Sequence, residues 1–414
     1  MRRALAIFAV LTTLSMSGAP STRVVTANNA SCDIGIYPAA TLLLPYFEVD
    51  TTQTVPSTAM NTVFTVVNTS QLPQIARVTL WTDFGFPALS FPMFLTGYGM
   101  QSISMYELVA RGNLPVTYSG ATPGTASAAN DSNPNFLEDN HCDRSGGTLV
   151  KERRERLQRA LIEGERDTGC RIGRQHAIAT GYVTVDVVNS CADVDPLDPS
   201  YWTDTLLFDN VLTGDYERIN PNVTTGNYAG GSPLVHIRAV PEGGPAGVVG
   251  QVPFPYTFYD RYLPAEARKM DRRQPLPSVF AARFIEGGST GFKTNLMIWR
   301  EGATGATRDE CLYAKNEKLP VRTIVRFDEH ENATMASSGI VLPPSSANSS
   351  VATAFPLLTA GDVGGWFWIS LDNGARARAS QNWITVQMYA EGRYAVDFDA
   401  TWLANGCSVP PASP

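Results

Sequence analysis

Short runs of alternating apolar and polar residues, interrupted by Gly, Pro, Asn and Asp, recur along the 414-residue chain and confine it to a mainly β fold. Residues 62–68 are rich in β-branched and aromatic side chains, and 77–82 follow after a loop containing Pro73, so the two read as an antiparallel hairpin. Further strands are predicted at 42–49, 99–105, 181–188, 234–239, 279–285, 292–299, 321–327, 365–371, 383–389 and 394–399. Many short strands between turn residues specify antiparallel β-sandwich layers, Ig-like or jelly-roll-like. About 390 mature residues exceed what one core usually organises, so two packed sandwiches are expected. They cover 28–240 and 278–414, joined by a Pro/Gly-rich connector at 241–277 around the aromatic run 254–259. Segments 62–68 and 294–300 echo each other as strands followed by a loop and a second apolar run. A duplicated sandwich and two unrelated strands would both produce that echo.

The front of the chain has the three parts of an export signal. Arg2 and Arg3 precede an apolar stretch at 4–16, and Val25-Thr26-Ala27 supply a small-residue cleavage site, which predicts a signal peptide at 1–27 and a mature start at Asn28. Cleavage after Ala19 is the alternative, obstructed by Pro20. No later stretch reaches the ~20 apolar residues of a transmembrane helix, so an exported chain without such an anchor is expected in the periplasm, at the cell surface or outside the cell. Six cysteines in an oxidising compartment, none in a CxxC pair, are expected to form three disulfides. The preferred pairing joins Cys32 to Cys407 at the chain ends, Cys142 to Cys170 around the charged helix, and Cys191 to Cys311 across the two halves. Their scattered spacing lacks the paired ligands of a zinc site.

Residues 1–27 hold three Arg and no acid, which leaves 29 basic against 39 acidic residues and a net charge of −10. That balance argues against nucleic acid and anionic membranes as partners. One charged surface helix is predicted at 148–165, within a helical insertion near 140–175, with Leu149, Val150, Leu157, Leu161 and Ile162 as a broken apolar stripe. Its Arg153, Arg154, Arg156 and Arg159 alternate with Glu152, Glu155 and Glu163, a solvated face rather than a basic docking arm.

Signals of chemistry are few. Gly287-Gly288-Ser289-Thr290-Gly291 matches the G-x-S-x-G pattern, but a nucleophile elbow leads into a helix and 292–299 reads as a strand, so a glycine-rich hairpin loop is expected. His141, His176, His236 and His330 are dispersed, without the spacing that places two imidazoles on one metal. Asp328-Glu329-His330-Glu331 is the densest polar cluster and reads as an exposed strand end. Asp193, Asp195 and Asp198 put three carboxylates within six residues, which suits either a structural calcium or an Asx-and-proline turn, and the EF-hand pattern is absent. Trp366 and Trp368 alternate along one strand and share a face, as do Arg77, Thr79 and Trp81. Such a face stacks sugars in a binding protein, although core packing is its commoner use.

Residues 40–49, with Leu42-Leu43-Leu44-Pro45-Tyr46-Phe47-Glu48-Val49, together with 63–68, 77–82, 95–98, 181–191 and 327–332, resemble a group of secreted bacterial proteins without an assigned activity. The resemblance spans most of the mature chain, implies export from a bacterium, and implies no catalytic residue.

Two functions follow as expectations. The favoured one is a non-catalytic secreted or envelope protein whose sheets or loops bind an extracellular polymer, a protein or copies of itself. The alternative is a secreted hydrolase of glycans or esters, which requires Asp328, Glu331 or the 193–198 loop to converge on an aromatic-lined cleft.

Overall fold

The computed structural model describes residues 35–115, 147–166, 169–222, 227–239, 257–259, 271–288, 291–300, 319–320, 323–336, 341–342, 347–350, 364–371, 381–390 and 394–402. Its principal strands form two sets of nine. The first set is β1 (Thr41–Val49), β2 (Asn61–Asn68), β3 (Gln74–Trp81), β4 (Pro87–Leu95), β5 (Met100–Ser104), β6 (Ala179–Val188), β7 (Leu212–Asn220), β8 (Tyr228–Pro233) and β9 (Val235–Ile237). The second is β10 (Val279–Ile285), β11 (Phe292–Arg300), β12 (Thr323–Asp328), β13 (Ala333–Ala336), β14 (Ala347–Ser350), β15 (Gly364–Ser370), β16 (Asn382–Ala390), β17 (Tyr394–Asp399) and β18 (Thr401–Trp402). Each set makes one five-stranded and one four-stranded antiparallel sheet. Sheet I runs β9-β1-β6-β3-β4 and sheet II runs β8-β7-β2-β5, while sheet III runs β18-β10-β15-β12-β13 and sheet IV runs β17-β16-β11-β14. Adding nine to every strand number of sheets I and II reproduces sheets III and IV.

The halves are therefore one architecture repeated, and individual residues keep the register. Thr62 Oγ1 donates to the Glu48 carbonyl and accepts its N–H, both at 3.1 Å. Thr294 Oγ1 does the same with Ile285, at 2.7 and 2.9 Å. A Cβ on Gly181 would stand 2.2 Å from the Trp81 carbonyl oxygen, and one on Gly365 would stand 2.1 Å from that of Phe327, so both places demand glycine. The β3–β4 turn closes with the Thr82 N–H on the Phe86 carbonyl and the Gly85 N–H on Thr82; Asp328, Asn332 and Glu331 repeat it between β12 and β13. Gly85 and Glu331 both have positive φ, 77° and 64°. The echo between 62–68 and 294–300 is thus a real equivalence, with Thr62 and Thr294 in the same place.

Burial explains the strand chemistry. Sheet II packs on one face of sheet I around Leu42, Phe64, Val66, Val78, Val185 and Tyr216. The other face of sheet I meets sheet IV, where β1 lies against β11 and β16 and the Tyr182 and Trp299 rings meet edge-on at 5.9 Å. Sheet IV in turn covers sheet III around Phe280, Leu296, Ile324, Phe367 and Val386. The layers follow in the order II, I, IV, III, and beside β1 the strand β8 of sheet II reaches past sheet I to lie directly against β17 of sheet IV. Strands β1 and β6, covered on both faces, are buried along their whole length, whereas β2 alternates because sheet II faces solvent on one side. What the structure describes of the connector passes through the joint: Phe258 stacks on Trp299 at 5.6 Å, and Leu276 is fully buried.

Several expectations are corrected. Strands β2 and β3 do not form a hairpin, because the 69–73 loop crosses between sheets and sends β2 to β7 and β5, and β3 to β6 and β4. The charged helix α1 is Lys151–Ile162, shorter than 148–165: Val150 is its extended N-cap, and Gly164, at φ 66°, lies just past its end. Leu157 and Leu161 are buried beside β4 and β6, but Val150 is exposed. The loop around Gly287 is closed by reciprocal bonds between Gly287 and Phe292, yet it joins strands of different sheets and is no hairpin. Among the described residues, no helix is long and apolar enough to cross a membrane.

Candidate functional site

Two charged networks occupy the joint between sandwiches. Arg218, fully buried on β7, makes paired hydrogen bonds to Asp397 of β17 at 3.0–3.2 Å and one to Glu48 of β1 at 3.1 Å. Burial pushes the Glu48 and Asp397 carboxyls up and Arg218 pulls both back. Beside them, burial raises Asp399 to about 6, against the opposing hydrogen bonds from Trp383 Nε1 and Thr385 Oγ1. The second network centres on Asp186, which accepts from Thr41 Oγ1 at 2.6 Å, Tyr201 at 2.8 Å and Tyr259 at 2.7 Å. Arg273 reaches the same Thr41 and pairs with Asp271 at 3.1 Å. Each of these acids is buried against a donor: Arg218 joins the first sandwich to the second, and the Asp186 network ties the first sandwich to the connector.

The outer face of sheet III is different. Cross-strand register places Arg283, Trp366 and Phe327 in one row and Ala281, Trp368 and Val325 in the next. The Phe327 and Trp366 rings stack at 3.7 Å between centroids and 7° between planes. Both tryptophans are half-buried, and the core side of β15 is taken by Phe367 and Ile369. Core packing, the commoner use of such a pair, is therefore not what Trp366 and Trp368 do. At one end of the row Arg283 meets Glu329 at 3.3 Å, with side chains 69% and 58% exposed. In the first sandwich the equivalent pair, Trp81 and Tyr182, also stacks, at 5.9 Å and 5°, but is buried, with Tyr182 against Trp299 of sheet IV, while Arg77 in the same row of side chains is covered by the 192–194 loop.

The other sequence candidates lie apart. Asp193 is exposed at 3.7 Å from Arg77, Asp195 accepts the Leu197 N–H, and Asp198 accepts both the N–H and hydroxyl of Ser200, which are Asx-turn bonds. Among the described residues, no group of three or more His, Cys, Asp or Glu converges to hold a metal. Asp328 caps its own turn through the N–H groups of His330 and Asn332 and the Asn332 amide, and these bonds lower its pKa. The 193–198 loop sits by sheet I and Asp328 at the end of sheet III. Neither Cys170 nor Cys191 is a free thiol; Cys32, Cys142, Cys311 and Cys407, and so the expected pairings, lie outside the described residues. The signal segment 1–27, His141, Ser289 and Thr290 lie outside them too.

Sequence reasoning missed one arrangement. Asp83, buried in the β3–β4 turn, accepts from Arg174 Nε at 2.9 Å and lies 3.0 Å from His176 Nε2. No nucleophile among the described residues bonds that imidazole, and the pair anchors the segment after α1. The residues stand 93 positions apart, so no local motif could have announced them. Compared with known proteins, the chain matches no family model, no curated protein and no solved structure.

Proposed function

We propose that this is a non-catalytic, exported β-sandwich protein with a binding or structural role, and that the outer face of sheet III is its contact surface. The observation that carries this reading is the Phe327–Trp366 stack, continued by Trp368, on a sheet face left partly open to solvent. Single exposed apolar residues are ordinary, but a contiguous aromatic patch on a rigid sheet is a recognition surface. The buried acids support the non-catalytic reading, since each is held by buried hydrogen-bond donors rather than aimed into a cleft. Export rests on the signal pattern at 1–27, and three disulfides, Cys32–Cys407, Cys142–Cys170 and Cys191–Cys311, accompany it in this reading.

The test is a thermal-unfolding panel of the oxidised protein against extracellular polysaccharides, proteins, calcium and chelator, repeated with Trp366→Gln and Trp368→Gln. A ligand of this face raises the melting temperature of the native protein and loses that effect in both variants. A shift that survives both substitutions rules this face out as the contact surface. Turnover of a glycan or ester would establish the hydrolase instead.

A further inference from the structure

The repeat shows what the open face of sheet III is built to meet. Sheet I is its counterpart in the first sandwich, and sheet I is covered by sheet IV of the second. Sheet IV is the counterpart of sheet II, and among the described residues no sheet packs on the outer face of sheet II, where the β2 side chains are partly exposed. Each chain therefore contains the joint once and ends in its two unused halves, sheet III at one end and sheet II at the other. We infer that a second copy of this chain docks head to tail, with its sheet II on the sheet III face of the first. This inference rests on reading that face as a contact surface.

Equivalent residues agree with the pairing. In the existing joint Trp299 of β11 meets Tyr182, which stacks on Trp81. The register makes Val67 the counterpart of Trp299, and Trp366 and Phe327 the counterparts of Tyr182 and Trp81. Around Val67 lies an apolar patch: Met100 is opposite it in the ladder and 68% exposed, while Leu72 and Tyr98 in the adjoining loops are 56% and 69% exposed. The loops are tied there by Asn68, whose amide donates to the Leu72 carbonyl. A docked copy would lay this patch on the Trp366 and Phe327 rings.

Charge agrees as well. In the existing joint β1 lies against β16, so β10 would lie against β7 of the incoming copy. Strand β10 carries the exposed Arg283, and β7 presents the exposed Asp215 and Glu217 on its outer side, in register with Thr65 and Val63. An interface of two different surfaces that does not close on itself extends into a filament.

Sedimentation velocity over a concentration series of the oxidised full chain tests this. The wild type is expected to grow beyond a dimer with concentration, and Arg283→Glu or Met100→Asp to weaken association about tenfold or more. Arg283→Glu combined with Glu217→Lys should restore it, which simple misfolding would not allow. A protein monomeric at every concentration overturns the inference, as does a dimer that Trp368→Gln abolishes and Met100→Asp leaves intact, because that is a symmetric face-to-face contact. If the chain is monomeric but Trp366→Gln still removes a ligand-induced thermal shift, the contact surface stands and only the second copy fails. If neither is seen, both readings fail.

Discussion

The Arg218 guanidinium grips the Asp397 carboxylate at 3.0 Å across 179 residues of chain, and in doing so ties the first sandwich to the second. The positions equivalent to Arg218 and Glu48 in the second sandwich are Met388 and Ile285, both apolar. The charges therefore belong to the joint rather than to the repeated fold: they occur only where a neighbouring sheet arrives.

Removing the cation alone should be severe. Arg218→Met leaves Glu48 and Asp397 buried without it and is expected to destabilise the fold by about 3–5 kcal/mol in urea titration. Replacing all three, with Glu48→Ile, Arg218→Met and Asp397→Asn together, should recover most of that loss. A triple variant no more stable than the single would mean that the site cannot be repacked without charge.

The pH dependence of Asp399 has a definite sign. Its carboxyl ionises near 3.8 when unfolded and at about 6 when folded, so its contribution to stability is full below pH 3.8 and is lost as the pH rises through about 6. Asp399→Asn should remove a penalty of roughly 2–3 kcal/mol at neutral pH. Urea midpoints of the two proteins, compared at pH 3 and 7.5, should diverge only at the higher pH. Equal differences at both would place the carboxyl's ionisation outside that window.

Gly181→Ala and Gly365→Ala each drive a methyl group against a strand carbonyl, at 2.2 and 2.1 Å. Each should lose about 1–3 kcal/mol or more, because a strand backbone cannot yield as a side chain can. Thermal melts of the two variants should fall by similar amounts if the halves are equivalent.

At the turn after Phe327, Glu331 holds the left-handed conformation that Gly85 supplies in the first sandwich. Glu331→Gly is expected to leave stability unchanged or raise it by up to about 1 kcal/mol, and Gly85→Ala to lower it by about 1–2 kcal/mol. A loss on Glu331→Gly would show that the glutamate side chain contributes to the turn.

Much of the β-architecture was legible because strand formation is local. The strands 279–285 and 394–399 were read to the residue, and 62–68 nearly so, from β-branched and aromatic content alone. Strands β4, β7, β8, β13, β14 and β18 were missed: β4 contains Pro87 and Pro92, β7 carries Asp215, Glu217 and Arg218, β8 holds Gly230, Gly231 and Pro233, and β13, β14 and β18 have only two to four residues. Their residues are poor strand formers, or too few to show a period, and hydrogen-bonded neighbours nonetheless place them in sheets. The alternation of Trp366 and Trp368 showed that they share a face, and did not show which face.

Periodicity by itself determined that the chain folds into short antiparallel strands with two-sided chemistry, since side chains alternate along any extended backbone. Tertiary structure alone decided which strands pair, that nine of them recur in the same order, and which faces are covered. Those outcomes depend on contacts between residues one or two hundred positions apart, as between Arg218 and Asp397, which no local pattern encodes. The partly open face of Phe327, Trp366 and Trp368 differs from the buried face of Trp81 and Tyr182 in that, among the described residues, only the latter has a sheet packed on it.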